Sequence, residues 1–306
     1  MERSYAIGRY ELAVSLLPQR WQRPARQLPD HQKERVEELR LRAGHPATVL
    51  LPEGELMLTQ ERMTVSQGDL EQLCDTVTGY SRYAAAETIA RGFLIAPGGF
   101  RIGLCGTAVV REGGNRNLRD LSSAVVRIGR EQTGLSDGLM PQLFDGERFR
   151  NTLILAPPGL GKTTLLRDLI RNLSDGTADY LPRRVAVVDE RGEIAGMYQG
   201  MAQLEVGCHT DILDGCPKAE GIPILLRAAN PQIIAVDEIT ERQDIYAMAA
   251  AANCGVGLLA TIHAADCAEL RRKPLFAKLL RLHAFETAVV ICMDGDQRYY
   301  RTEALA

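Results

Sequence analysis

Four short apolar runs, three of them rich in β-branched residues, mark the C-terminal half of the chain: Thr152–Leu155, Val185–Val188, Ile233–Val236 and Leu258–Ile262. Between or after them lie segments with helical spacing of apolar residues: Thr163–Leu173, Ala219–Ala229, Asp244–Asn253 and Ala268–Arg272. Runs that are apolar throughout, without alternation, predict strands covered on both faces, and the intervening helices supply the covers. The expected fold class is therefore α/β with a parallel sheet.

The N-terminal half reads differently. A helix is expected over Glu11–Leu17, then a loose, proline-bearing segment to Asp30. "VEELRLRAGHPATVLL" alternates as strands do, and "EGE" after it is a turn between two short strands. "SQGDLEQLCDTVTGYS" predicts a helix capped by Ser66 and stopped at Gly79. A further helix, a hairpin through Pro97-Gly98-Gly99 and a strand ending in Gly113-Gly114 follow. This is the pattern of a small α+β domain. A boundary near "GLMPQLFDGERFRN" divides the chain into an N-terminal α+β domain, 1–148, and a C-terminal α/β domain, 149–306.

Composition narrows the function classes. Charged residues make up 25% and the net charge is −3, a poor endowment for coating nucleic acid. Residues 1–148 balance 19 basic against 19 acidic groups, and aromatics, at 5%, are too few for base-stacking platforms. The first residues mix charges among apolar positions, unlike a signal peptide. The longest uncharged stretch, Ala247 to His263, is broken at Asn253 and Gly255 and reads as a buried helix and strand. A cytoplasmic protein is expected. The seven cysteines contain no Cys-x-x-Cys pair, as in reduced chains. Cys208, His209 and Cys216 are close in sequence, but their spacing fits no zinc pattern.

The chemistry concentrates after the first apolar run. "APPGLGKT", residues 156–163, fits the phosphate-binding loop with Ala in place of its first Gly, between a strand and a helix. The expected nucleotide-binding residues are Ala156, Pro157, Pro158, Gly159, Leu160, Gly161, Lys162, Thr163 and Thr164. Backbone N–H groups from Gly159 to Thr163 can converge on phosphate oxygens, aided by the positive end of the helix. Lys162 would reach the β- and γ-phosphates of ATP, and Thr163 would ligate Mg²⁺.

"PQIIAVDEI" sets two carboxylates at the end of a buried strand. Asp237 suits a position facing Mg²⁺ through a water, and Glu238 the group that orients an attacking water. "VAVVDERGEIAG" delivers a second acidic cluster, Asp189, Glu190 and Glu193 around Arg191. A parallel sheet gathers its strand ends at one edge, so this cluster is expected at the same nucleotide. Glu238 and Glu190 compete for the role of base; Glu238 is preferred because Asp237 beside it takes the metal-facing position. "GLLATIHAAD" ends another strand with Thr261 and His263, placed to sense a γ-phosphate. Arg119, Arg127 and Arg130 precede the nucleotide domain, and such arginines can offset charge developing during phosphoryl transfer. Arg127, following "AVV", is the preferred one.

Together "LRLRAGHP", "PGGFRIGLCGTAV", "LRDLSSAVVRIGRE", the phosphate loop, "VVDERGEIAG", "DILDGCPKAEGI", "IIAVDEI" and "ATIHA" resemble the stage III sporulation protein AA family over roughly residues 36 to 292. "DERGEIAG" followed by "DGCPKAEG" is the specific part. That family is the sporulation relative of the type II and type IV secretion ATPases. The resemblance implies a RecA-like P-loop NTPase domain behind the smaller N-terminal α+β domain, assembled as a homo-hexameric ring. It implies an ATPase in the mother-cell cytoplasm, peripheral at the membrane, that energises or assembles the mother cell–forespore channel with membrane-bound sporulation proteins. In the secretion relatives an acidic box and a histidine box occupy the places of Asp189–Glu193 and His263. Two other classes compete: a hexameric nucleic-acid motor, disfavoured by the charge balance, and a nucleotide-locked scaffold, disfavoured by intact Lys162, Thr163 and Glu238.

Overall fold

The computed structural model describes residues 2–59, 62–82, 85–111, 114–129, 131–295 and 297–305, with backbone alone at residues 2 and 3. The chain clusters into two compact units: residues 1–130 with 196–203, and residues 131–195 with 204–306.

The first unit opens with helices α1 (Glu2–Leu16), α2 (Gln19–Arg26) and α3 (Asp30–Lys33). The stretch expected to be loose up to Asp30 thus holds α2, and α3 starts where that stretch ends. Its prolines explain the difference: Pro18 and Pro29 stand immediately before α2 and α3, where a fixed φ suits helix entry. Trp21 and Ala25 of α2 are fully buried. Next come β1 (Glu38–Arg42), β2 (Thr48–Leu51), β3 (Gly54–Met57), α4 (Gln67–Thr78), α5 (Ala86–Ala90), β4 (Phe93–Ala96), β5 (Phe100–Arg111) and β6 (Gly114–Arg127). The strands form one antiparallel sheet, ordered β3-β2-β1-β6-β5-β4. Helix α4 has the cap expected from sequence: Ser66 accepts from the Asp69 N–H, the Asp69 carboxylate accepts from the Ser66 N–H, and Gly79 ends the helix at φ 58°.

The second unit begins with a 3₁₀ turn (Met140–Leu143) and the two-residue strands β7 (Phe144–Asp145) and β8 (Arg148–Phe149). There follow β9 (Thr152–Ala156), α6 (Lys162–Asp175), β10 (Val185–Asp189), β11 (Thr210–Asp214), α7 (Lys218–Ala228) and β12 (Ile233–Val236). The chain ends with α8 (Arg242–Asn253), β13 (Gly257–His263), α9 (Cys267–Arg272), α10 (Pro274–Arg281), β14 (Thr287–Asp294) and β15 (Gln297–Ala304). Seven strands run β11-β10-β12-β13-β9-β14-β15, parallel except for the final antiparallel pair.

Every residue of β9, β10 and β12 is buried, as strands covered on both faces require. Leu165, Leu166, Leu169, Ile170 and Leu173 form the buried stripe of α6. Helix α7 approaches β10 so closely that a Cβ on Gly221 would lie 2.7 Å from Val188 Cγ1.

Residues 131–148, read from sequence with the N-terminal part, cluster with the second unit. A buried carboxylate explains the attachment. Asp168 of α6 accepts from the Gly134 N–H (3.0 Å), the Ser136 N–H (2.8 Å) and the Ser136 hydroxyl (2.7 Å). Asn172, one turn on, donates to Ser136 Oγ and Asp137.

Candidate functional site

Parallel register assembles the site at the C-terminal ends of β9, β10, β12 and β13. Val236 pairs with Ala260, so Asp237 emerges beside Thr261; His263 pairs with Ala156, the first residue of the glycine-rich loop. The loop turns through Gly159 (φ 81°) and Gly161 (φ 83°), left-handed conformations that a Cβ would strain, before α6 starts at Lys162. The N–H groups of the first helical turn lack intrahelical partners, which gives this end of α6 its positive character.

Lys162 is buried, and its ammonium donates to the carbonyls of Ala156 and Pro157, each at 2.9 Å. Burial pulls its pKa below the usual lysine range, while the Asp237 and Glu238 carboxylates oppose that pull. Thr163 Oγ1 donates to Asp237 Oδ2 at 2.7 Å. The other Asp237 oxygen accepts from the hydroxyl of Thr261, which in turn accepts from the Glu238 N–H at 2.7 Å. Thr261 is fully buried, and Glu238 sits at φ 47°, so the hydroxyl fixes a backbone turn that few non-glycine residues adopt.

The Glu238 carboxylate is held on both sides. Oε2 accepts from Arg191 Nη1 at 2.6 Å, and Oε1 lies 2.9 Å from His263 Nε2. His263 Nδ1 is buried and has no hydrogen-bond partner among the described residues.

The acidic cluster after β10 divides. The buried Asp189 carboxylate turns into its own loop and accepts from the N–H groups of Glu193 (2.9 Å), Ile194 (3.1 Å) and Ala195 (2.8 Å). Burial raises its pKa, and the N–H groups of Ala195 and Ile194 pull it back. Arg167 of α6 donates to the Glu193 and Ile194 carbonyls, fixing the same loop from outside. Glu190 pairs with Lys218, a buried lysine at the start of α7. Thr163, Asp237, Thr261, Glu238, His263 and Arg191 therefore form one connected set, with Lys162 bonded to the carbonyls of the adjoining loop; Glu190 pairs instead with Lys218.

Of the candidate arginines, Arg127 is an exposed residue of β6 and lies 3.6 Å from Glu38 of the neighbouring strand. Arg119 lies 3.5 Å from Asp120, and Arg130 falls outside the described residues. Two cations escaped the sequence reading. Lys218 lies in the family-specific stretch "DGCPKAEG", but nothing in that stretch assigns it a partner. Arg298 of β15 has its guanidinium 3.0 Å from where a Cβ on Gly161 would stand, and β15 itself was not expected. Away from the site, Cys208 and His209 meet Asp175, with ligand atoms within 4.8 Å of one another. Local hydrogen bonds account for that grouping: the Cys208 N–H donates to Asp175, and His209 Nδ1 lies 2.9 Å from the Ser174 carbonyl.

Comparison with known proteins places the fold and the family. Among solved structures, the Legionella pneumophila ATPase DotB superimposes with a TM-score of 0.56 at 17% identity, over 88% of this chain and 76% of that one. The pilus retraction motor PilT with bound ADP gives a TM-score of 0.59 at 15% identity, over 88% and 78%. At these identities the likeness establishes the fold, a RecA-like α/β core. The stage III sporulation protein AA of Bacillus subtilis (strain 168) is 35% identical over 273 residues, 89% of this chain and 88% of that protein. The family model described as sporulation stage III, protein AA, matches residues 19–301. With sequence, fold and motif order in agreement, the chain belongs to the sporulation stage III protein AA family.

Proposed function

We propose that the chain is an ATPase that binds ATP and Mg²⁺ at residues 156–164 and hydrolyses the nucleotide. The observation that carries the reading is the hydrogen-bond chain Thr163–Asp237–Thr261–Glu238, which joins the glycine-rich loop to the two carboxylates after β12. The RecA-like fold shared with DotB and PilT supports it.

In this reading Lys162 exchanges its two carbonyl partners for phosphate oxygens, a charge-assisted contact that more than replaces them. Thr163 and Asp237 offer hard oxygen donors 2.7 Å apart, the donor type that suits Mg²⁺, with Asp237 acting through a water. When bound, the ion neutralises charge on the phosphates. Glu238 orients and deprotonates the attacking water; its backbone is fixed by Thr261 and its carboxylate steered by His263. Glu190 is the less suited base because its carboxylate pairs with Lys218 and takes no part in the chain that ties Glu238 to the loop. His263 reports the γ-phosphate, and Arg127 assists hydrolysis as a cation that offsets developing charge.

The family supports a cellular role. The protein acts on the mother-cell side, energising or assembling the channel to the forespore with membrane-bound sporulation proteins, as a homo-hexamer peripheral to the membrane. Among the described residues no helix is long and apolar enough to cross a membrane. Turnover of ATP by the purified chain, with its mass measured with and without nucleotide, tests activity and assembly together. A chain that stays monomeric with ATP and Mg²⁺ refutes the ring.

A further inference from the structure

The pairing of Arg191 with Glu238 links two strand ends. Val188 and Val236 are register partners, so Arg191 and Glu238 extend from adjacent strands just past the sheet edge. The backbone around Arg191 is fixed. Asp189 gathers the N–H groups of Glu193, Ile194 and Ala195, and Arg167 holds the carbonyls of Glu193 and Ile194. The Arg191 side chain is free by comparison: 52% of it is exposed, and its guanidinium uses one nitrogen on Glu238. A rigid base carrying a long, half-exposed cation beside a phosphate loop is suited to exchanging one anion for another.

Glu238 supplies the reason for an exchange. A general base needs a lone pair directed at the water it deprotonates. Arg191 takes an acceptor site on one Glu238 oxygen and His263 takes one on the other. A γ-phosphate presents more charge than a carboxylate and several oxygens to a planar, multiply donating guanidinium. We infer that Arg191 is a γ-phosphate ligand acting within the chain: it clamps Glu238 until ATP arrives, then moves to the γ-phosphate and releases the carboxylate toward water. ADP, lacking that group, leaves the clamp closed. Arg191 thereby couples recognition of the triphosphate to exposure of the base. The inference rests on reading the site as a nucleotide site.

The test uses the full chain with Mg²⁺, titrated with ADP and with a β,γ-imido analogue of ATP. Arg191→Ala is expected to weaken the analogue roughly tenfold or more, the loss of a charge-assisted contact, with ADP affinity unchanged. Arg191→Lys, which keeps the charge and loses the fork, should fall between the two, and it carries the test if the alanine variant does not fold. The clamp makes a second demand. Glu238→Gln weakens the hold on Arg191, so analogue affinity should rise roughly threefold or more, and the gain should vanish in Arg191→Ala/Glu238→Gln. Equal losses for both nucleotides, or none, in a folded variant overturn the assignment of Arg191 and leave the phosphate loop standing. Failure of the unmodified chain to bind either nucleotide overturns both.

Discussion

Thr163 Oγ1 donates to Asp237 Oδ2 at 2.7 Å, bridging 74 positions of sequence to join the first turn of α6 to the end of β12. Asp237 lies beside Thr261, whose hydroxyl donates to the second Asp237 oxygen and accepts from the Glu238 N–H. The loop, Asp237 and Glu238 are thus held as one unit by two threonine hydroxyls.

Thr261→Val tests that unit. The substitution keeps shape but leaves a backbone N–H without its acceptor and removes one donor from Asp237. A stability loss of about 1–3 kcal/mol is expected for the orphaned group. ATP turnover should fall about tenfold, with a smaller change in affinity, because the hydroxyl positions the base and does not touch the phosphates in this reading. Denaturant melts and steady-state kinetics check both; a fully active variant removes Thr261 from the positioning role.

Glu238→Gln should retain ATP and lose turnover by at least about a hundredfold, the scale of a general-base contribution. Glu190→Gln should keep most of its turnover, because that carboxylate lies outside the Thr163–Asp237–Thr261–Glu238 chain. Single-turnover assays on both variants distinguish the candidates, and a reversed outcome makes Glu190 the base.

Arg127→Ala should lower kcat far more than ATP affinity, since a cation that stabilises developing charge acts mainly in the transition state. Mixing the variant into unmodified protein should depress turnover more than in proportion if neighbouring subunits share sites. Parental kcat in the pure variant returns Arg127 to its pairing with Glu38.

Much of the site was legible because its signals are local. The sequence Ala156–Thr163 places glycines, a lysine and a threonine between an apolar run and a helix, and each strand expected from β-branched runs formed within one or two residues of its expected ends. Asp237 and Thr261 could be read as strand-end groups, but their hydrogen bond depends on the β12–β13 register, which no local pattern contains. Arg191 was visible only as a charge among acids, and its contact with Glu238 is a property of strand order. The hairpin β14–β15 was missed because β15, "QRYYRTEA", is polar and mostly exposed, as an outer strand can be. Residues 131–148 read as part of the N-terminal domain because their anchor, Asp168, is a single buried carboxylate lying 32 residues beyond Ser136.

Asp168→Ala should therefore destabilise the second unit by about 3 kcal/mol, because it strips two N–H groups and a hydroxyl of their acceptor and leaves Arg171 without its closest ion pair. Thermal melting and proteolysis between residues 131 and 148 check this. Unchanged melting and cleavage would show that apolar packing of Met140, Leu143 and Phe144 holds the segment alone.

The central claim is that the loop at residues 156–164 binds ATP for hydrolysis, and ATP turnover by the purified chain beside Lys162→Ala, with Mg²⁺ present, tests it most directly. Steady release of phosphate by the parent is expected, with a loss of at least about a hundredfold in the variant, which removes the single side-chain cation that the loop directs at the phosphates. Turnover by Lys162→Ala within a few-fold of the parent, or no turnover by a parent that binds neither ATP nor ADP, would contradict the account.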